Sequence, residues 1–200
     1  MSANKIKKVV IIGPESTGKS TLCHQLAEHY NTIWCPEYAR EYLLKHGMNY
    51  SYDDLLTIAK GQVELEEKTI HLAIRNFSHD DQDQQATSHS PFTIHHSPLF
   101  IDTNMYVMKV WCEFVFGKCH PFILEQIEKR KYDQYLLCNV DLPWVKDELR
   151  EYPDLERRQQ LYDIYKNIMN NQPVQWIEIN GNYEERLKTA IKAVNKLFRK

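Results

Sequence analysis

The chain has 200 residues, is 42% hydrophobic and 26% charged, and carries a formal net charge of −2. This is the composition of one globular domain, 1–200, with enough chain to bury a sizeable core. It excludes the basic field that recruits nucleic acid, and no stretch is long and apolar enough to span a membrane. The N-terminal MSANKIKKVV runs straight into a strand pattern without signal-peptide character, so a cytoplasmic location is expected. The five cysteines are scattered and form no C-x-x-C pair, which reads as small buried hydrophobes in a reducing compartment.

In chain order, 7–12 (KKVVII) is a β-branched run suited to a buried strand, and 21–30 has apolar residues at helical spacing. Between them lies GPESTGKS, which matches the phosphate-binding loop G-x-x-x-x-G-K-[ST] in its proper strand–turn–helix context. Gly13 and Gly18 let the backbone turn its N–H groups toward one oxyanion, beside the positive end of the helix. The expected ATP contacts are Gly13, Glu15, Ser16, Thr17, Gly18, Lys19, Ser20 and Thr21, with Lys19 on the β- and γ-phosphates and the Ser20 hydroxyl on Mg²⁺.

A short strand at 32–35 is stopped by Pro36, which places Glu37 and Arg40 beyond its carboxyl end, where open parallel sheets bind ligands. For either residue, plain helix capping is the alternative. A helix at 38–46 ends at Gly47. Ser51 and Asp54 suggest a capping-box start for a long amphipathic helix over 52–77, on which Glu64, Glu66, Glu67 and Lys68 read as a solvated face. The polar stretch 78–97 reads as a mobile loop. Its four histidines, His79, His89, His95 and His96, match no metal-ligand spacing and read as solvated.

The strand at 99–102 ends in Asp102, the arrangement that helps hold Mg²⁺ downstream of a phosphate-binding loop. The next residue is Thr103, where many hydrolytic motors have a water-activating glutamate, and this tilts the reading toward transfer to a substrate. A helix at 105–116 ends at Gly117; Trp111 on it could line a pocket, although core packing is the simpler reading. Pro121 opens a helix continuing to 131, and 132–138 is the next strand. The stretch 142–160 carries Arg150, Arg157 and Arg158 and reads either as a lid bringing positive charge to the phosphates or as part of a helix over 155–170 with a solvated basic face. The last strand is 174–179, and Asn182 with Glu185 caps the last helix. Five strands alternating with helices predict an α/β fold with a parallel sheet.

GPESTGKST, PEYAREYL, LFIDTN, YLLCNVDLPWVKDELR and IEINGNYEERLKTAI together resemble the ribosylnicotinamide kinase domain of NadR-type proteins, over nearly the whole chain apart from 78–97. The resemblance implies a P-loop kinase with strand order 2-3-1-4-5, helices on both sheet faces and a helical lid. It also implies ATP and Mg²⁺ as cofactors and phosphorylation of nicotinamide riboside at its 5′-hydroxyl to give nicotinamide mononucleotide. Lys19, Glu37, Asp102 and Arg40 would then be catalytic, with Asp102 favoured for metal and Glu37 for base, and Tyr38, Asn104 and Trp111 would join the acids around the riboside. Members commonly carry Asp-Thr-Asp at the third strand end, where this chain has Asp102-Thr103-Asn104. No H-x-G-H adenylyltransferase signature occurs, so at most one of the three activities of such proteins is expected. A kinase of another nucleoside or small alcohol, and an ATP-binding regulatory module that transfers nothing, are the rival readings. A GTPase is disfavoured because Asn139-Val140-Asp141 is not N-K-x-D.

Overall fold

The computed structural model describes residues 6–83 and 98–199. Five strands and seven helices alternate in it: β1 Lys7–Ile12, α1 Lys19–His29, β2 Trp34–Cys35, α2 Tyr38–His46, α3 Tyr52–Asp83, β3 Pro98–Asp102, α4 Met105–Phe116, α5 Pro121–Lys129, β4 Gln134–Cys138, α6 Leu155–Asn171, β5 Trp176–Ile179 and α7 Tyr183–Leu197. The sheet is parallel throughout, in the order β2-β3-β1-β4-β5. No described helix is long and apolar enough to cross a membrane.

Strand alternation splits the core into two layers. Val10, Ile12, Leu99, Ile101 and Leu137 face α4 and α6, whose Val107, Val110, Leu161, Tyr165 and Met169 complete one cluster. Val9, Ile11, Phe100 and Leu136 face the other way, against Leu22, Cys23 and Leu26 of α1 and Ala190, Ala193 and Val194 of α7. A third cluster is purely helical: Ala39, Leu55, Ile58, Met105, Met108 and Ile123 join α2, α3, α4 and α5 beside the sheet. Gly61 belongs to this contact, because a Cβ there would lie 2.1 Å from the Tyr38 ring. All five cysteines are free and four are buried.

Several local expectations hold. Asn182 and Glu185 form the capping box of α7, and Ser51 and Asp54 exchange hydrogen bonds at the start of α3. Others need correction. Of the expected loop 78–97, residues 78–83 are helical, since α3 runs to Asp83; residues 84–97, with His89, His95 and His96, and the side chain of His79 lie outside the described residues. Glu66 is not on a solvated face. It is 1% exposed, and Arg130 at 3.0 Å and a Tyr132 hydroxyl bond of 2.9 Å compensate its charge. The helical lid is absent as a helix, because 142–154 is irregular and α6 begins only at Leu155.

Phe100 is fully buried at the centre of the sheet. Phe100→Ala should lower unfolding stability by about 3–5 kcal/mol, read as a lower urea midpoint at unchanged slope.

Candidate active site

The carboxyl ends of β1, β2 and β3 open into one cavity of about 310 Å³, a size suited to a small ligand. Its floor is the loop from Gly13 to Ser20. The sequence folds this way because the chain leaves β1 against the end of β4: at Gly13 (φ 141°) a Cβ would lie 2.6 Å from the Cys138 carbonyl oxygen. Ser16 (φ 56°) and Gly18 (φ 77°) are also left-handed, which curls the loop into an anion-binding nest. Thr17 is buried; its hydroxyl donates to the Pro14 carbonyl over 2.7 Å. Lys19 Nζ donates to the same carbonyl over 2.9 Å, so the ammonium is held over the loop.

Two carboxylates overlook this floor. Asp102 ends β3 opposite Ile11 of β1 and is 1% exposed. Ser20 Oγ donates to its Oδ2 over 2.5 Å, while its buried Oδ1 has no hydrogen-bond partner. Burial and then the negative charge of Glu37 push the Asp102 carboxyl up to about 7, against the opposing pull of Lys19 and the Ser20 hydrogen bond. Glu37 follows β2, the parallel neighbour of β3, and its Oε1 accepts from Thr103 Oγ1 over 3.3 Å. Neither acid caps a helix with its side chain. Glu37 occupies the N-cap position of α2 without a side-chain cap bond, and the cap of α4 is Asn104, whose side chain accepts from Tyr106 N.

The irregular segment 142–154 closes over the outer rim of the loop. Glu15 accepts from the backbone N–H groups of Glu151, over 3.0 Å, and of Tyr152. Ser16 Oγ accepts from Val145 N over 3.0 Å and from Arg150 over 3.3 Å. From the far side, Arg40 pairs with Asp147 at 3.2 Å, and Tyr50 donates to Glu151 over 2.8 Å while accepting from Trp111 Nε1 over 2.9 Å. Burial, with the Glu15 charge adding to it, holds the Glu151 carboxyl above its ordinary range despite the Tyr50 hydrogen bond.

The structure thus brings Gly13, Glu15, Ser16, Thr17, Gly18, Lys19, Ser20, Thr21, Glu37, Arg40, Asp102, Trp111 and Arg150 to one cavity. Four expected residues do not line it. Tyr38 packs on Gly61 in the helical cluster. Asn104 is consumed by its cap and by a 3.2 Å bond to the Tyr135 hydroxyl. Arg157 lies over the outer ring of Tyr152, 5.8 Å from its centroid. Arg158 is 2% exposed rather than solvated and donates to the carbonyls of Ser16 and Leu142, so it braces the loop from behind. The sequence reading missed the walls Trp34, Phe114, Tyr152 and Tyr165, because nothing local separates an aromatic facing a cavity from one facing the core. It also missed Arg186, which is buried on α7 and donates to the Thr17, Gly181 and Asn139 carbonyls.

A family model described as AAA domain (AAA_28) matches residues 8–186, and the chain belongs to that family. It is 24% identical over 198 residues to the trifunctional NAD biosynthesis/regulator protein NadR of Salmonella typhimurium and to that of Escherichia coli, alignments covering 96% of this chain and 43% of each relative. The chain therefore spans less than half the length of these curated relatives. Among solved structures it is similar to NadR in complex with NR (TM-score 0.72, 22% identity, 96% of this chain and 49% of that one). It is also similar to thymidylate kinase from Ehrlichia chaffeensis (TM-score 0.63, 15% identity, 94% and 98%). These likenesses show a fold shared with NadR and with this thymidylate kinase.

Two outcomes follow from the geometry. Asp102 ionises near 3.8 in an unfolded chain and near 7 in the folded one. Between those values the folded chain binds more protons, so ligand-free stability should fall as pH rises across the window and level off above it. Asp102→Asn has no charge to titrate, and urea titrations at both ends of the window should find its curve flatter and its stability higher above pH 7. For the rim, Glu15→Ala should speed amide exchange at Glu151 and Tyr152 while leaving α6 protected; unchanged exchange at both amides would show that Glu15 does not hold the segment.

Proposed function

We propose that this member of the AAA domain family is an ATP-dependent kinase of a small riboside, with nicotinamide riboside as acceptor and its 5′-hydroxyl as the phosphorylated group. The observation that carries the reading is the convergence of Lys19, Ser20, Glu37 and Asp102 on one cavity from three different strand ends. Phosphoryl transfer needs a phosphate cradle, a proton acceptor and charge neutralisation at one place. The likeness to NadR supports the acceptor.

The chemistry is a single displacement. The riboside oxygen bonds to the γ-phosphorus as the bond to the β-bridging oxygen breaks, ADP leaves, and the hydroxyl proton passes to Glu37. Lys19 and the loop N–H groups hold the phosphates, while Arg150 on the cavity wall neutralises charge that spreads over the transferring group. The partnerless Asp102 Oδ1 and the adjacent Ser20 hydroxyl are a hard-oxygen pair of the kind Mg²⁺ accepts. Mg²⁺ held by this pair would supply positive charge that offsets the phosphate charge during transfer. The segment 142–154 excludes water, which would otherwise compete as acceptor.

The acceptor side favours an uncharged hydroxyl over a phosphorylated acceptor. Glu37, Asp102 and Glu151 line the cavity, and the Arg40 guanidinium there is paired with Asp147. A phosphomonoester would meet carboxylates, whereas the cationic pyridinium ring of nicotinamide riboside suits acids and aromatic faces such as Trp34, Trp111 and Tyr152.

The test is ADP release from ATP and Mg²⁺ against a panel of ribosides. Nicotinamide riboside should give the highest kcat/KM, and its 5′-deoxy analogue none. Lys19→Ala should abolish transfer with the fold intact, and Glu37→Gln should lower kcat by roughly a hundredfold. ATP bound stoichiometrically with no acceptor-dependent ADP would instead favour a regulatory module.

A further inference from the structure

Thr103 separates the two acids in an unusual conformation. Its φ is 73°, the left-handed region that a β-branched residue adopts only at a cost in backbone strain. It is 1% exposed, and its N–H donates to the Ile11 carbonyl over 3.3 Å, so the β1–β3 ladder continues through it. The left-handed turn there sends the chain from β3 into the cap of α4 at Asn104. Glycine would make this turn without strain, and asparagine with little. Turn-making alone therefore gives no reason for threonine. What threonine adds is Oγ1, directed across the sheet edge to Glu37 Oε1 at 3.3 Å. Among the described residues this is the side-chain hydrogen bond that the Glu37 carboxylate makes, and α2 takes no cap bond from it.

We propose that Thr103 is the positioning residue for Glu37: its hydroxyl holds the carboxylate at the transfer site, and the strained turn is retained because it aims that hydroxyl. The proposal rests on Glu37 being the proton acceptor. An unheld glutamate has several rotamers, few of which bring an oxygen within reach of an acceptor hydroxyl. The turn places Oγ1 between the ends of two adjacent parallel strands, β2 and β3, so the orientation of Glu37 is tied to the strand that carries Asp102. This makes the geometry of the two acids a single unit. The same tie accounts for the position of Thr103 in the Asp102-Thr103-Asn104 run: the aspartate faces Ser20, the threonine faces Glu37, and the asparagine caps α4.

The test is a cycle of purified variants assayed with ATP, Mg²⁺ and nicotinamide riboside. Thr103→Ala removes the hydroxyl. Thr103→Gly removes it while relieving the strained turn, so a loss there does not come from backbone misfit. Thr103→Ser keeps the hydroxyl. We expect Ala and Gly to fold, to keep the KM for ATP, and to lose about tenfold in kcat through misplacement of the acceptor, with Ser retaining most of it. In a Glu37→Gln background the same Thr103→Ala change should cost little, because it acts through the missing carboxylate. Wild-type turnover in Ala or Gly, an equal loss in Ser, or the full tenfold loss persisting beside Glu37→Gln would each overturn the proposal. If Glu37→Gln itself turns over normally, the base assignment fails and the positioning role falls with it. If Glu37→Gln is slow while Thr103→Ala and Thr103→Gly are not, the positioning role alone fails.

Discussion

The hydrogen bond from Ser20 to Asp102 joins the two halves of the site, and the arrangement of the sheet follows from making it possible. Ser20 stands in the first turn of α1 and Asp102 at the end of β3. They meet because β3 is inserted between β1 and β2 in parallel register, with Ile11 opposite Asp102. A sheet wound in simple chain order would have put β2 beside β1. The order β2-β3-β1 sets an acid at the end of each of two strands next to the phosphate loop, so phosphate cradle and acceptor acids share one edge. Burying a carboxylate there is costly. The displaced proton equilibrium of Asp102 is the trace of that cost, which the Ser20 hydrogen bond and Lys19 only partly offset, and its Oδ1 has no hydrogen-bond partner among the described residues.

The loop itself is held by groups that never touch the cavity. Arg158 and Arg186 are both 2% exposed, and each donates to loop carbonyls, of Ser16 and of Thr17 respectively. With those carbonyls engaged behind the loop, the N–H groups are left to face the cavity. The rim segment is attached differently. Its hydrogen bonds and ion pair with Glu15, Ser16, Arg40 and Tyr50 are polar and partly exposed, and an exposed ion pair such as Arg40–Asp147 is worth about 0–1 kcal/mol. Elements attached by such links open at a small fraction of the global unfolding free energy. A cradle held by buried bonds beneath a cover held by exposed ones is the arrangement that the proposed transfer would need, with substrate admitted first and water excluded afterwards.

The phosphate loop, the five strands and the acids at two strand ends were legible in the sequence because each is a local pattern: a glycine spacing, a β-branched run, an acid or proline closing it; the order of the strands is no local pattern and came from the family resemblance. What was not legible depends on partners distant in the chain. Glu66 looks like any solvent-facing glutamate on an amphipathic helix, and its burial is decided by Arg130 and Tyr132 on other elements. Glu15 reads as a phosphate-loop residue, yet its carboxylate receives the backbone of a segment more than a hundred positions away. Asn104 was read beside the substrate because of its neighbour Asp102, but successive residues beyond a strand end point in different directions, and its direction is that of the helix cap. The arginine cluster divides for the same reason: along 150–158 one side chain enters the cavity, one covers a tyrosine ring and one is buried behind the loop.

Charge then decides what the cavity can accept. Its lining carries Lys19, Arg40, Arg150 and the phosphate loop together with Glu15, Glu37, Asp102 and Glu151, between aromatic walls. At the short distances inside a cavity of this size, like charges repel far more strongly than in bulk water. An anionic acceptor approaching the acids would face that repulsion before reaching the γ-phosphate, while a neutral or cationic ring would not. On the proposed reading, acids and cations gathered in one cavity would sort two substrates by charge as well as by shape. The acids would take up the proton of an acceptor hydroxyl, while Lys19 and Arg150 would meet the negative charge that develops on the leaving nucleotide.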